Sequence, residues 1–389
     1  MQKIILGLIL LCGFHSIMAQ LQVTEVSPVS ANNLVNSFVE VNVAMYNKGI
    51  TEREKLVIML AGKGDVPSDF QRFDSLAANT GFHVLGMSYN NSPSVKSACK
   101  GSTDPNCYEN VRRQVLLGDA LTPDIQVDSN HYLMKRVKDL LVYLENNASE
   151  DNWGKYLDSK KEVRWEKVIL AGHGEGATNA SYMGKLVNLS RVINFAPIPE
   201  IIEFNNKLAP WVSMDGLTPQ HRYYVFYQER DTNSIDTNFY DELGFTKFGD
   251  RTMVEDASYP YKLTRDLSTR FISGYNHTIT VKDNVTPIEP NGKPKFERVW
   301  VYMLTNESFQ SIGEMNPVQR IYPNPCKDRI KIDLVEKGAT LQWAIINSLG
   351  EAILIGEGTS VATQNLKKGI YFLSISTQDG NAVSRIVKE

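Results

Sequence analysis

The residues best suited to chemistry lie in one short run, Val168-Ile-Leu-Ala-Gly-His-Gly-Glu-Gly-Ala-Thr. An apolar stretch, a glycine-rich turn and a helical stretch follow in that order. Such a turn presents one side chain on a sharp, strained bend, where the G-x-S-x-G pattern carries an attacking serine. Gly172, His173, Gly174, Glu175 and Gly176 fill the pattern here, and Gly174 holds the nucleophile position. Acyl transfer at such a turn also needs a base and an acid that orients it, both later in the chain. Asp231 directly follows Tyr223-Tyr-Val-Phe-Tyr-Gln-Glu-Arg, and His277, the only histidine beyond it, lies in Gly274-Tyr-Asn-His-Thr. An oxyanion hole would take the backbone N–H of Lys63 or Gly64, in Leu60-Ala-Gly-Lys-Gly, with that of Glu175 as second donor.

A glycine at the bend suits the fold, because it relieves the strain of the turn. It removes the chemistry instead: loss of a triad serine lowers turnover by about 10⁶. His277 and Asp231 could still activate water, without an acyl-enzyme. Ser181 lies too far into the following helix to substitute. Each residue also has a plainer reading. Asp231 can cap a turn with Thr232 and Asn233, His277 can be a surface-loop histidine, and His173 can pack at the bend. Lys63 is either solvated or attracts an anionic ligand. The pattern Gly172-x-Gly174-x-x-Ala177 also matches a dinucleotide fingerprint, which requires an acid about 20 positions on. Only Glu200 offers one, late after Phe195.

The elements that must position these residues alternate. Leu56–Ala61, Phe82–Tyr89, Val168–Ala171, Arg191–Phe195 and Arg222–Tyr227 read as strands, several as continuous apolar runs. Pro67–Thr80, the stretch from Asp128 to Asn146 and Glu175–Val187 read as helices. Ser37–Tyr46 reads as a two-faced strand, with Val39, Val41, Val43 and Met45 on one face and Glu40 and Asn42 on the other. This order predicts an α/β fold with a mostly parallel sheet and sites at the carboxyl ends of its strands.

With these motifs the chain resembles secreted bacterial α/β-hydrolase-fold proteins related to an esterase-like family. The resemblance covers roughly residues 50 to 305 and includes Gly81-Phe-His-Val-Leu-Gly-Met-Ser-Tyr and Phe239-Tyr-Asp-Glu-Leu-Gly-Phe. Members carry a glycine-rich oxyanion loop, a local cysteine pair and a G-H-S-x-G-A turn. The departure falls on the serine. The resemblance thus implies an ester or acyl hydrolase lineage, impaired or converted to ligand binding, with small-molecule or polymer-derived ligands. An active hydrolase using His277 and Asp231 with water or another nucleophile is the alternative. A dinucleotide-binding oxidoreductase is the minor one.

The chain begins with a secretory signal, residues 1–19: Lys3, the apolar run Ile4–Leu11, and cleavage after Ala19. That run is too short to span a bilayer, and no later stretch reaches the required length. Export makes Cys99 and Cys107 candidates for a local disulfide, with two free thiols as the alternative. Cys326 is left over, and Cys12 leaves with the signal. No C-x-x-C or H-E-x-x-H implies a metal, and no cofactor is indicated. The 41 basic and 44 acidic residues give a net charge of −3 and no basic stripe, which argues against nucleic acid.

The character changes near residue 305. Residues 306–319 read as a polar linker between residues 20–305 and a small all-β unit, 320–389. There Ile330, Ile332 and Leu334 alternate, as do Leu341, Trp343 and Ile345, and Tyr371, Leu373 and Ile375, with turns at Leu349-Gly350 and Lys368-Gly369. Ile321-Tyr-Pro-Asn-Pro, Ile345-Ile-Asn-Ser-Leu-Gly-Glu and Gly369-Ile-Tyr-Phe-Leu-Ser-Ile, in that order, resemble the C-terminal sorting domain of the type IX secretion system of Bacteroidota. The resemblance implies export through that machinery to the cell surface or beyond.

Overall fold

A computed structural model describes residues 21–35, 40–123, 125, 127–272, 274–305, 318–334, 341–347, 352–377 and 380–389. The signal, most of the linker and the Leu349-Gly350 turn lie outside the described residues.

The chain opens with β1 (Leu21–Val26), a short α1 (Pro28–Ala31), β2 (Asn42–Asn47) and β3 (Leu56–Leu60). Then come α2 (Gln71–Asn79), β4 (His83–Met87), α3 (Val95–Ala98), α4 (Cys107–Leu117) and α5 (Leu133–Asn147). The central passage is β5 (Val168–His173), α6 (Glu175–Leu186) and β6 (Arg191–Phe195), followed by a small hairpin, β7 (Ile201–Ile202) and β8 (Lys207–Leu208). β9 (Tyr223–Gln228), α7 (Thr237–Leu243), β10 (Thr252–Met253), β11 (Asp266–Thr269) and α8 (Glu297–Thr305) complete the unit.

Nine strands form one sheet in the order β1-β2-β4-β3-β5-β6-β9-β11-β10. β1 and β2 run antiparallel to each other, and β2 runs antiparallel to β4. The remaining pairings are parallel. β3 shows why such strands are continuously apolar: alternate residues enter different layers. Leu56, Ile58 and Leu60 pack in one core with Leu140 of α5 and Tyr182 of α6. Val57 and Met59 pack in the other with Phe73 of α2 and Trp300 of α8. Phe73 meets Phe195 and Trp300 edge-on, with ring centroids 5.2 and 5.9 Å away. The result is helices on both faces of a buried, mostly parallel sheet.

One strand differs from expectation. β2 starts at Asn42, which was expected on a polar face and is instead buried. The cause is β1, which pairs along its edge. Asn42 donates its side-chain amide to the Val26 carbonyl and accepts from the Ser88 N–H, at 3.2 and 3.0 Å.

The C-terminal strands are β12 (Val318–Tyr322), β13 (Arg329–Leu334), β14 (Gln342–Ile346), β15 (Ala352–Glu357), β16 (Ser360–Ala362), β17 (Gly369–Thr377) and β18 (Gly380–Lys388). They form two antiparallel sheets, β12-β13-β16 and β15-β14-β17-β18. Their alternating residues Ile330, Ile332, Ile345, Leu373 and Ile375 make a core that also holds Cys326. Among the described residues, no helix is long and apolar enough to cross a membrane.

Candidate functional site

β5 ends at His173 and α6 begins at Glu175, so Gly174 alone makes the turn, at φ 54° and ψ −116°. A side chain there costs about 1–3 kcal/mol in backbone strain. The neighbouring glycines answer a different need, close approach. A Cβ on Gly172 would lie 2.3 Å from the Gly176 carbonyl, and one on Gly176 would lie 2.3 Å from that of Leu60. The turn therefore sits directly against β3 and faces the loops beyond the parallel strands.

Asp231 follows β9 and is 2% exposed. Its Oδ1 accepts the Asn233 N–H at 3.0 Å, and its Oδ2 accepts from His277 Nδ1 at 2.7 Å. Turn capping and histidine orientation thus coexist in one carboxylate. With Nδ1 donating, Nε2 is the nitrogen that carries the lone pair in the neutral ring. A Cβ built on Gly174 would stand 3.0 Å from that Nε2. The base position of the ring therefore faces the place a serine side chain would occupy. Among the described residues, no serine or cysteine side chain hydrogen-bonds to it. Ser181 is buried and donates to Asn194 Oδ1, and Ser94 in the cleft caps α3 through Ser97.

Two charged clusters hold these loops, and neither is visible as a motif. His173 is buried; Nδ1 lies 3.2 Å from Asp65 Oδ2, and Nε2 donates to the His277 carbonyl at 3.1 Å. Asp65 Oδ1 accepts from Lys282 at 2.5 Å. Burial raises the Asp65 carboxyl, but the bonds from His173 and Lys282 prevail and hold it below the usual carboxylate range. The loop after β3, the end of β5 and the His277 loop are tied together this way.

The second cluster lies under the turn. Glu175 Oε1 accepts from Arg112 Nη2 and from the Val95 N–H, each at 3.2 Å. Arg112 is fully buried, donates Nε to Glu200 Oε1 at 2.9 Å and also bonds Asn179. Glu200 Oε2 accepts from Trp211 Nε1 at 2.5 Å. Burial pushes the Glu200 carboxyl up, although Arg112 and Trp211 pull the other way. Glu200 was the acid a dinucleotide site would need. It is only 2% exposed and committed to Arg112, so it presents no acceptor for a ribose.

These residues floor a cleft of about 460 Å³ at the carboxyl ends of the strands. Gly174, Glu175 and His277 line it, together with Lys63, Lys96, Ile198, Pro199, Ile201 and Ile235 among others. Gly64, the other expected oxyanion donor, does not line it. Its turn is closed by the Asp65 N–H on the Gly62 carbonyl, and Gly62 and Lys63 form the wall. Tyr108 is an aromatic residue of the lining; Trp211 is in the core, and Tyr275, on the His277 loop, is 65% exposed and outside the cleft. A second cavity, about 500 Å³, lies at the amino end of β4 around Tyr46, His83 and Asp151. There His83 pairs with the Asp151 carbonyl and Lys48 with the Asp151 carboxylate. Among the described residues, no three His, Cys, Asp or Glu side chains gather as a metal site.

Cys99 and Cys107 form a disulfide, Cα to Cα 5.8 Å, joining α3 to the start of α4. Cys326 is a buried free thiol.

The fold and site define a mixed α/β protein in which a half-buried histidine, held by a buried aspartate, faces a glycine turn, followed by an antiparallel β unit. That unit is placed by comparison: residues 320–389 match the secretion system C-terminal sorting domain family. The segment directs export through the type IX secretion machinery to the cell surface or extracellular space. A search of curated proteins finds no match for the chain.

Proposed function

We propose that residues 20–305 form an α/β-hydrolase-type domain of ester or acyl hydrolase lineage, exported with an impaired catalytic centre that serves ligand binding. One observation carries the reading: the Asp231–His277 pair is directed at a turn whose side chain is missing. The strand order, the single-residue turn between β5 and α6, and the acid and histidine after later parallel strands all support the lineage. Without a hydroxyl at Gly174 no acyl-enzyme forms, and the Lys63 and Glu175 N–H groups can do no more than hold a carbonyl or carboxylate oxygen. Residues 1–19 are then the signal and 306–319 the linker to the sorting unit.

A second reading is favoured by the lone pair of His277 Nε2. A water between it and the cleft could attack an ester carbonyl, forming the C–O bond as His277 takes the water proton. The carbonyl electrons move to oxygen, then return as the alkoxide leaves and recovers that proton. Such a site would act slowly by general-base catalysis.

The test is labelling of the purified protein by a fluorophosphonate. The native chain should not react, whereas Gly174→Ser should react and lose that reactivity with His277→Ala or Asp231→Ala. The serine Cβ asks the His277 ring to yield by a few tenths of an ångström from its 3.0 Å approach. A folded Gly174→Ser protein that stays unlabelled refutes the lineage reading. Ester turnover by the native chain that disappears with His277→Ala would select the water mechanism.

A further inference from the structure

The cleft is lined by two chemical kinds of residue, ammonium groups and partly covered apolar side chains, and the carboxylates in and beside it each have a partner. Asp65 is held by Lys282 and His173, Glu175 by Arg112, and Asp231 by His277. Asp236 caps α7, accepting the Phe239 N–H at 2.8 Å. Lys63, after β3, and Lys96, in α3, also line the cleft and are exposed. Among the described residues neither ammonium has an ion-pair partner. Ile198, Pro199, Ile201 and Ile235, from the loops after β6 and β9, are only partly covered and present apolar surface to the same space. Its volume, about 460 Å³, is that of a small-molecule site.

We infer that the cleft takes a small amphipathic anion: an ester or acyl compound that also bears a carboxylate or comparable negative group. The anionic end lies toward Lys63 and Lys96, and the hydrocarbon lies against the isoleucines. The acyl carbonyl then falls over Gly174, within reach of the backbone donors. An unpaired ammonium at the mouth of a cleft raises the local concentration of an anion, and apolar lining adds area burial. This deepens the preceding proposal, since it assumes that the ligand occupies that cleft.

Monoethyl adipate and diethyl adipate, which differ in one negative charge, provide the probe pair. Titration calorimetry on the native exported chain should show the monoester binding about tenfold tighter. Lys63→Gln combined with Lys96→Gln should abolish that preference, bringing the affinity for the monoester down to that for the diester. Inorganic phosphate, lacking the apolar portion, should displace the monoester only weakly. Equal binding of the two esters, no binding of either, a preference unchanged in the double variant, or displacement by phosphate at equal concentration would each overturn the inference. Fluorophosphonate labelling of Gly174→Ser stands apart from these outcomes. Labelling without charge preference removes the anion inference alone, and preference without labelling removes the hydrolase lineage alone.

Discussion

Asp74, on the sheet-facing side of α2, is fully buried, and neither carboxylate oxygen has a hydrogen-bond partner among the described residues. Burial, with repulsion from Asp283, holds its carboxyl well above the ordinary value. Asp283 itself, which accepts the Arg72 N–H at the start of that helix, is pushed up to about 6, again chiefly by burial. A carboxyl raised in the folded state stabilises at low pH, and that contribution is lost as pH rises through the folded value. The contribution of these two carboxyls should therefore be lost as pH rises from about 4, the ordinary carboxylate value, with the share of Asp283 gone once pH passes about 6 and that of Asp74 declining further. Asp74→Asn should flatten the later part of that decline; parallel melting-temperature profiles for the two proteins would refute the assignment. Residues of this kind are silent in sequence. Gly174, Asp231 and His277 were legible because a glycine-rich turn, an acid after a strand and a last histidine occur in a fixed chain order. Asp65 and Lys282 were not, because their partnership spans 217 positions and nothing local marks it.

At the scale of elements, the turn between β5 and α6 rests on a buried ion cluster contributed by α4, α6 and the loop after β6. Arg112 faces two carboxylates, Glu175 and Glu200, with no access to water. Removing one member of such a group costs about 3–5 kcal/mol, because the others stay buried without compensation. Arg112→Met should lower unfolding free energy by about that amount in urea titrations. Arg112→Met with Glu175→Gln and Glu200→Gln should recover much of it. A loss below about 1 kcal/mol would mean the cluster is hydrated rather than dry. The strands that carry the site were readable as apolar runs, since burial on both faces leaves that mark. α4 escaped notice, because its pattern mixes Arg112, Arg113 and Gln114 with Val111 and Val115, and two of those polar residues are buried by pairing outside the helix, Arg112 with distant carboxylates and Gln114 with the loop that follows. β1 and the burial of Asn42 escaped for the same reason: pairing along an edge depends on a distant partner.

For the whole molecule, the sorting unit sets where the α/β domain works. Deleting residues 320–389 should leave the α/β domain inside the cell envelope, absent from both culture medium and cell surface when fractions are immunoblotted. Efficient release of the truncated chain would show a second route of export. The disulfide adds a matter of timing. A short loop closed by Cys99 and Cys107 contributes about 2.5 kcal/mol on a chain-entropy account, and it clamps the segment bearing Lys96 to the helix bearing Arg112. Thiols stay reduced in the cytoplasm and oxidise after leaving it. One wall of the cleft is therefore fastened only in transit, and a newly made chain carries it without that clamp until export.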